Sequence, residues 1–177
     1  MASADGWILE FQMHRLLMQG YSLKLFPIRP SPDSKVMESD IYDNYTNSQE
    51  GADRKDFQLT PSDEYSLCEG AQIQFDRYYL LPATDFPAID SLLLLDPPGE
   101  PPTLLMFRIT WNQDEHGVIE DGLRRVEELK FPSNARRCYV VVTNLGIHPQ
   151  IKVPKGCFNG VDVFHHPVDE KRLFSSS

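Results

Sequence analysis

At 177 residues, 41% of them hydrophobic, the chain has the size and apolar content of one folded domain, which excludes global disorder. No apolar run approaches the roughly 20 residues of a membrane helix. Three scattered cysteines, Cys68, Cys138 and Cys157, exclude a disulfide framework or a Cys-x-x-Cys zinc site and favour a reducing compartment. The net charge of −9 argues at first against a nucleic-acid partner. However, residues 33–64 hold nine acids and three bases, whereas residues 102–177 hold nine acids and ten bases. The acidity therefore belongs to one segment.

The N-terminus lacks a basic start, and Glu10, His14 and Arg15 break any apolar run. It does not read as a secretory signal, and an intracellular location, cytoplasmic or nuclear, is expected. Without a secretory route, the sequon Asn44-Tyr45-Thr46 reads as chance. Residues 6–19 read as an amphipathic helix. Ile8, Phe11, Leu16, Leu17 and Met18 are its apolar side, Glu10, His14 and Arg15 fall between them, and Gly20 ends it. Residues 21–28 alternate weakly, as a short strand that Pro27 assigns to an edge. Residues 29–66, rich in Pro, Ser, Asp and Asn, show no period. They read as a long acidic loop, an insertion or a lid, with a short helix after Thr60-Pro61-Ser62-Asp63.

A strand is expected over 71–81, followed by a hairpin of strands 89–95 and 104–111 joined by the turn Pro97-Pro98-Gly99-Glu100-Pro101-Pro102. Residues 115–130 read as the strongest helix, with Val118, Ile119, Leu123, Val126 and Leu129 on one face, Asp114 as its cap and Pro132 beyond its end. Residues 137–143 form an apolar run of the kind buried on both faces of a sheet, and 161–164 a last short strand. The order predicts a single α/β domain over 1–177, a mixed central sheet flanked by helices.

Chemistry gathers at the hairpin. Asp90 stands in an otherwise apolar run, where a carboxylate must be paired, hydrogen-bonded or metal-bound. On the partner strand, Arg108 and Thr110 share a face by the period of two. Asp90 facing Arg108 gives either an ion pair or part of a metal site. A hard cation such as Mg²⁺ needs a second carboxylate, which Glu10 supplies if the first helix packs over the sheet. Arg108 opposes a nearby cation, and Thr110 cannot act as a lysine does. His116 is a candidate proton carrier. His165-His166 is a candidate metal pair with no spaced third ligand. Arg124, Arg125 and Lys130 share their helix with Glu120, Asp121, Glu127 and Glu128 and read as a mixed solvated face. Cys138 reads as an inert core thiol.

These residues carry a resemblance. Tyr78-Tyr79-Leu80-Leu81-Pro82, then Asp90 at the start of a strand, Phe107-Arg108-Ile109-Thr110, His116 and Gly122-Leu123 resemble the PD-(D/E)XK nuclease-like domains of the Crinkler and retrotransposon-hot-spot type. The likeness covers roughly residues 67–145. It implies a restriction-endonuclease-like core and catalytic positions at Asp90, Glu10, Arg108, Thr110 and His116, with Asp90 and Glu10 as the metal ligands. Arg108 stands where the family has glutamine or an acid, and Thr110 where active members have lysine. The expectation is a pseudoenzyme: an intracellular effector or interaction module that binds protein or nucleic acid, with no membrane association. The alternative is an active Mg²⁺-dependent nuclease cleaving DNA or RNA. An interaction protein whose acidic 33–64 segment recruits partners is a third reading.

Overall fold

A computed structural model describes residues 4–31, 42–47, 54–68, 70–111, 114–116 and 119–174. Among them lie three helices, α1 (Ala4–Met18), α2 (Ile119–Glu127) and α3 (Glu170–Phe174). The strands are β1 (Ser22–Pro30), β2 (Tyr42–Asn47), β3 (Lys55–Gln58), β4 (Glu64–Ser66), β5 (Tyr78–Leu80), β6 (Ser91–Leu95), β7 (Thr103–Ile109), β8 (Asp114–His116), β9 (Arg136–Asn144), β10 (Gln150–Pro154) and β11 (Val161–Val168). They join into one mixed sheet in the order β4-β5-β6-β7-β9-β11-β1-β2-β10-β8, with β3 pairing β1. The expected α/β class and mixed sheet are present.

The centre of the sheet follows from its apolar runs. β5, β6 and β7 form an antiparallel meander, and β9 lies parallel to β7 after the α2 connection. Alternate side chains serve two cores. Leu93, Leu105, Phe107, Val140 and Val142 pack with Met13 and Leu17 of α1 and Leu173 of α3. Leu92, Leu94, Leu104, Met106, Tyr139 and Val141 pack with Ile119, Leu123 and Val126 of α2. Each such side chain contributes about 1.5–3 kcal/mol when fully buried. Cys138 lies in the core under α1 and α3, and burial pushes its thiol up to about 12.

Several expectations need correction. The segment 29–66 is not a structureless loop where it is described. It holds β2, which bridges β1 and β10, then β3 on β1 and β4 on β5. Backbone pairing, not an apolar period, makes these strands, and no helix follows Thr60. Acids Asp33, Glu38, Asp40, Glu50 and Asp53 lie outside the described residues. β1 is no edge strand. Pro27 lies between the stretch paired with β3 and the stretch paired with β2, and is matched with Phe164 of β11 on the other side. The expected strand over 71–81 reduces to Tyr78–Leu80, because Asp76 turns the chain with a φ of 59°.

Helix α1 is also turned from its expected face. Met13, His14 and Leu17 are buried, while Ile8 and Phe11 are 53% and 61% exposed. The second expected helix begins only at Ile119. Asp114, Glu115 and His116 instead form β8, parallel to β10. Glu120 and Asp121 hold the acidic first turn of α2, where the helix dipole favours them.

Candidate functional site

Asp90 immediately precedes β6. Its N–H donates to the Phe107 carbonyl at 2.7 Å, and its carbonyl accepts from the Leu81 N–H at 3.0 Å. Its side chain then closes the end of β7. Oδ2 accepts from the Ile109 N–H at 2.7 Å, and Oδ1 lies 3.3 Å from Arg108 Nη1. The Asp90 side chain is 12% exposed and that of Arg108 31%. Burial pushes the Asp90 carboxyl up, against the lowering effects of the Arg108 charge and the Ile109 N–H. Of the two expected states of Asp90, the ion pair with Arg108 is the one present.

The approach to Asp90 is fixed from behind. Ala88 takes a φ of 60°, a left-handed conformation that a non-glycine residue adopts only when its surroundings impose it. The Tyr139 hydroxyl donates to the Ala88 carbonyl at 3.0 Å. Gly122 of α2 comes so close that a Cβ there would lie 1.9 Å from the Pro87 carbonyl oxygen. This contact supplies the physical reason for a glycine at 122.

Glu10 and His14 lie one turn apart on α1, with His14 Nε2 3.7 Å from Glu10 Oε1. At that separation the contact is longer than a hydrogen bond and acts through charge and dipole. It is the main cause holding the Glu10 carboxyl below its ordinary value; burial opposes it, and the charge of Arg108 adds to it. Glu10 therefore shares the electrostatic environment of Asp90 and Arg108, with its side chain 42% exposed. Behind it, His14 Nδ1 is 2.6 Å from the Tyr78 hydroxyl, which is 2.7 Å from Ser91 Oγ. Burial pushes the Tyr78 hydroxyl far up, so it remains protonated. The sequence reading placed His14 only as a polar interruption of α1 and gave Tyr78 and Ser91 no role. Their spacing carries no local signal, since 64 residues separate His14 from Tyr78.

The other expected site residues fare differently. Thr110 is buried at 4% exposure, and its N–H donates to the Val142 carbonyl at 3.0 Å. His116 is in β8 opposite Lys152, and its side chain lies outside the described residues. His165 and His166 are not an exposed pair: both are 2% exposed. As neighbours on β11 they point to opposite faces, His165 Nε2 2.7 Å from Thr143 Oγ1 and His166 Nδ1 donating to the Lys24 carbonyl at 2.7 Å. Two rings so divided cannot share one metal. A cleft of about 300 Å³ lies between α2 and residues 155–161. Its cations Arg124 and Arg137 are engaged by Glu120, Asp121 and Glu127.

The residues at the hairpin do not fit the Mg²⁺ that the resemblance implies. Both Asp90 oxygens are engaged, and a permanently charged guanidinium stands beside the carboxylates a hard cation would need. Among the described residues, no three His, Cys, Asp or Glu side chains are grouped to hold a metal. No helix among them is long and apolar enough to cross a membrane. No family model matches the chain, and no curated protein or solved structure does.

Proposed function

We propose that the chain is a nuclease-like domain that recognises a protein or nucleic-acid partner without cutting, as an intracellular effector or interaction module. The observation carrying this reading is the Asp90–Arg108 pair, with the second Asp90 oxygen on the Ile109 N–H. The guanidinium supplies a fixed positive charge where a nuclease of this kind would hold its cation. Support for the ancestry comes from chain order: α1, an antiparallel β5-β6-β7 meander, α2, and then β9 parallel to β7. β1 to β4 are inserted after α1. That is the succession expected of a restriction-endonuclease-like core, with Asp90 before the second meander strand and Arg108 near the end of the third.

The test is incubation of the purified chain with plasmid, single-stranded DNA and RNA in Mg²⁺ or Mn²⁺, beside Asp90→Ala. The expected result is intact nucleic acid in both samples. Cleavage by the wild type that disappears in Asp90→Ala would overturn the proposal.

A further inference from the structure

Ser91, Tyr78, His14 and Glu10 lie in one line drawn from β6, β5 and α1. Its direction follows from chemistry. When the ring is neutral and Nε2 carries its proton toward the carboxylate, Nδ1 of His14 accepts. The Tyr78 hydroxyl must then donate to Nδ1, and the Tyr78 oxygen accepts from Ser91 Oγ. Both hydroxyls then donate toward His14, and donors aligned in series strengthen one another at low dielectric; from the ring to Glu10 the 3.7 Å contact acts through charge and dipole. Tyr78 and Ser91 are fully buried and His14 is 8% exposed, so no ligand reaches the inner members. Their effect is delivered at Glu10.

A second observation supports this. A helix turned to pack best would bury Phe11 and Ile8. α1 leaves both largely exposed and buries His14 instead. Giving up burial of a Phe and an Ile forgoes apolar contacts that ordinarily stabilise a fold. The orientation instead brings His14 against Tyr78, with Glu10 one turn away and within reach of the Arg108 charge.

We propose that His14 is a positioning residue of the candidate site: it transmits the order of the buried Ser91–Tyr78 hydroxyl pair to Glu10 and fixes the place of that carboxylate. This rests on the reading of Glu10, Asp90 and Arg108 as the recognition site. The groups reaching Glu10 are His14 on its own helix and Arg108 on β7, while Asp90 and Tyr78 feel Glu10 in turn.

The experiment follows the Glu10 carboxyl carbon and the His14 ring nitrogens by NMR across a pH titration. It uses the full chain, Tyr78→Phe and Ser91→Ala, with exposed Glu120 as the control. Both variants are expected to move the Glu10 midpoint up toward its ordinary value, Tyr78→Phe more than Ser91→Ala, and to shift the His14 nitrogens. The Glu120 midpoint stays in place. A merely structural role would lower stability and leave the Glu10 midpoint where it was, and that result overturns the proposal. Should Tyr78→Phe fail to fold, Ser91→Ala, which deletes one oxygen at the far end of the line, decides alone. The readout needs neither partner nor cleavage. A cutting enzyme would sink the functional reading and leave this coupling standing, whereas an unmoved Glu10 would do the reverse.

Discussion

Two buried polar clusters sit in the same sheet, one around Asp90 and one around His165 and His166. The Asp90 cluster draws on α1, β5, β6 and β7: Asp90 holds Arg108 and the Ile109 N–H, and from the adjoining Ser91 two hydroxyls and an imidazole lead to Glu10. The histidine cluster draws on adjacent residues of β11, whose rings part to opposite faces, one against Thr143 and the other on the Lys24 carbonyl. Both lie under apolar packing, yet only the first is open to solvent through Glu10 and Arg108. Convergence of unlike groups from several elements, with one exposed member, separates a site from a satisfied interior. Closeness in sequence does not.

The contrast is sharpest in acid. Burial lowers both His165 and His166 from 6.5 to about 4. The unfolded chain therefore binds more protons between those values. The stability from the two neutral rings is fully present above 6.5, is lost as pH falls toward 4, and changes no further below that. The expected loss is on the order of 7 kcal/mol across the pair, read from denaturant unfolding at stepped pH, and His166→Gln should flatten about half of the slope. The Asp90 cluster divides instead. The raised Asp90 carboxyl contributes at low pH, and its contribution is lost as pH rises through its folded value. The lowered Glu10 contributes above its ordinary value, and that is lost as pH falls through its folded value. A stability profile flat from 6.5 to 4 would erase the distinction drawn between the clusters.

Gly122→Ala probes the Asp90 side through its backbone support. A methyl group 1.9 Å from the Pro87 carbonyl must push α2 or the 86–90 loop aside, at about 3 kcal/mol, and the Asp90 and Ile109 amide resonances should shift with it. Asp90→Ala leaves the Ile109 N–H and Arg108 without their carboxylate. About 2 kcal/mol is expected, less than for a fully buried pair because Arg108 reaches solvent. A double-mutant cycle with Arg108→Ala should show coupling of about 1 kcal/mol. Thr143→Val, on the histidine side, removes the neutral hydroxyl that meets His165 Nε2 and the Asn144 and Ile147 carbonyls and should cost about 1 kcal/mol. A larger loss there than at Asp90 would reverse the ranking.

How far the sequence disclosed this depended on the range of each interaction. The β6–β7 hairpin was legible because its apolar runs and proline-flanked turn are local, and the period of two put Arg108 on the face that meets Asp90. The orientation of α1 was not legible. Its apolar residues favour a face containing Phe11, and only Tyr78, far along the chain, explains why His14 is inside. β2 and β3 carry no apolar run, so their backbone pairing with β1 left no period to read. Adjacent histidines suggested a pair until strand geometry sent them apart. The proposed nuclease ancestry draws on the quoted motifs and on the order of the elements.

The bond from His166 to Lys24 spans 142 residues, and it lies at the join of β11 with β1. During synthesis, β1 therefore leaves the ribosome long before the strand it docks against exists. Pairings of such sequence separation are slow to find, and unpaired strands invite other chains meanwhile. Folding should be limited by closure of this seam, and the chain should depend on dilution or a chaperone until β11 has emerged.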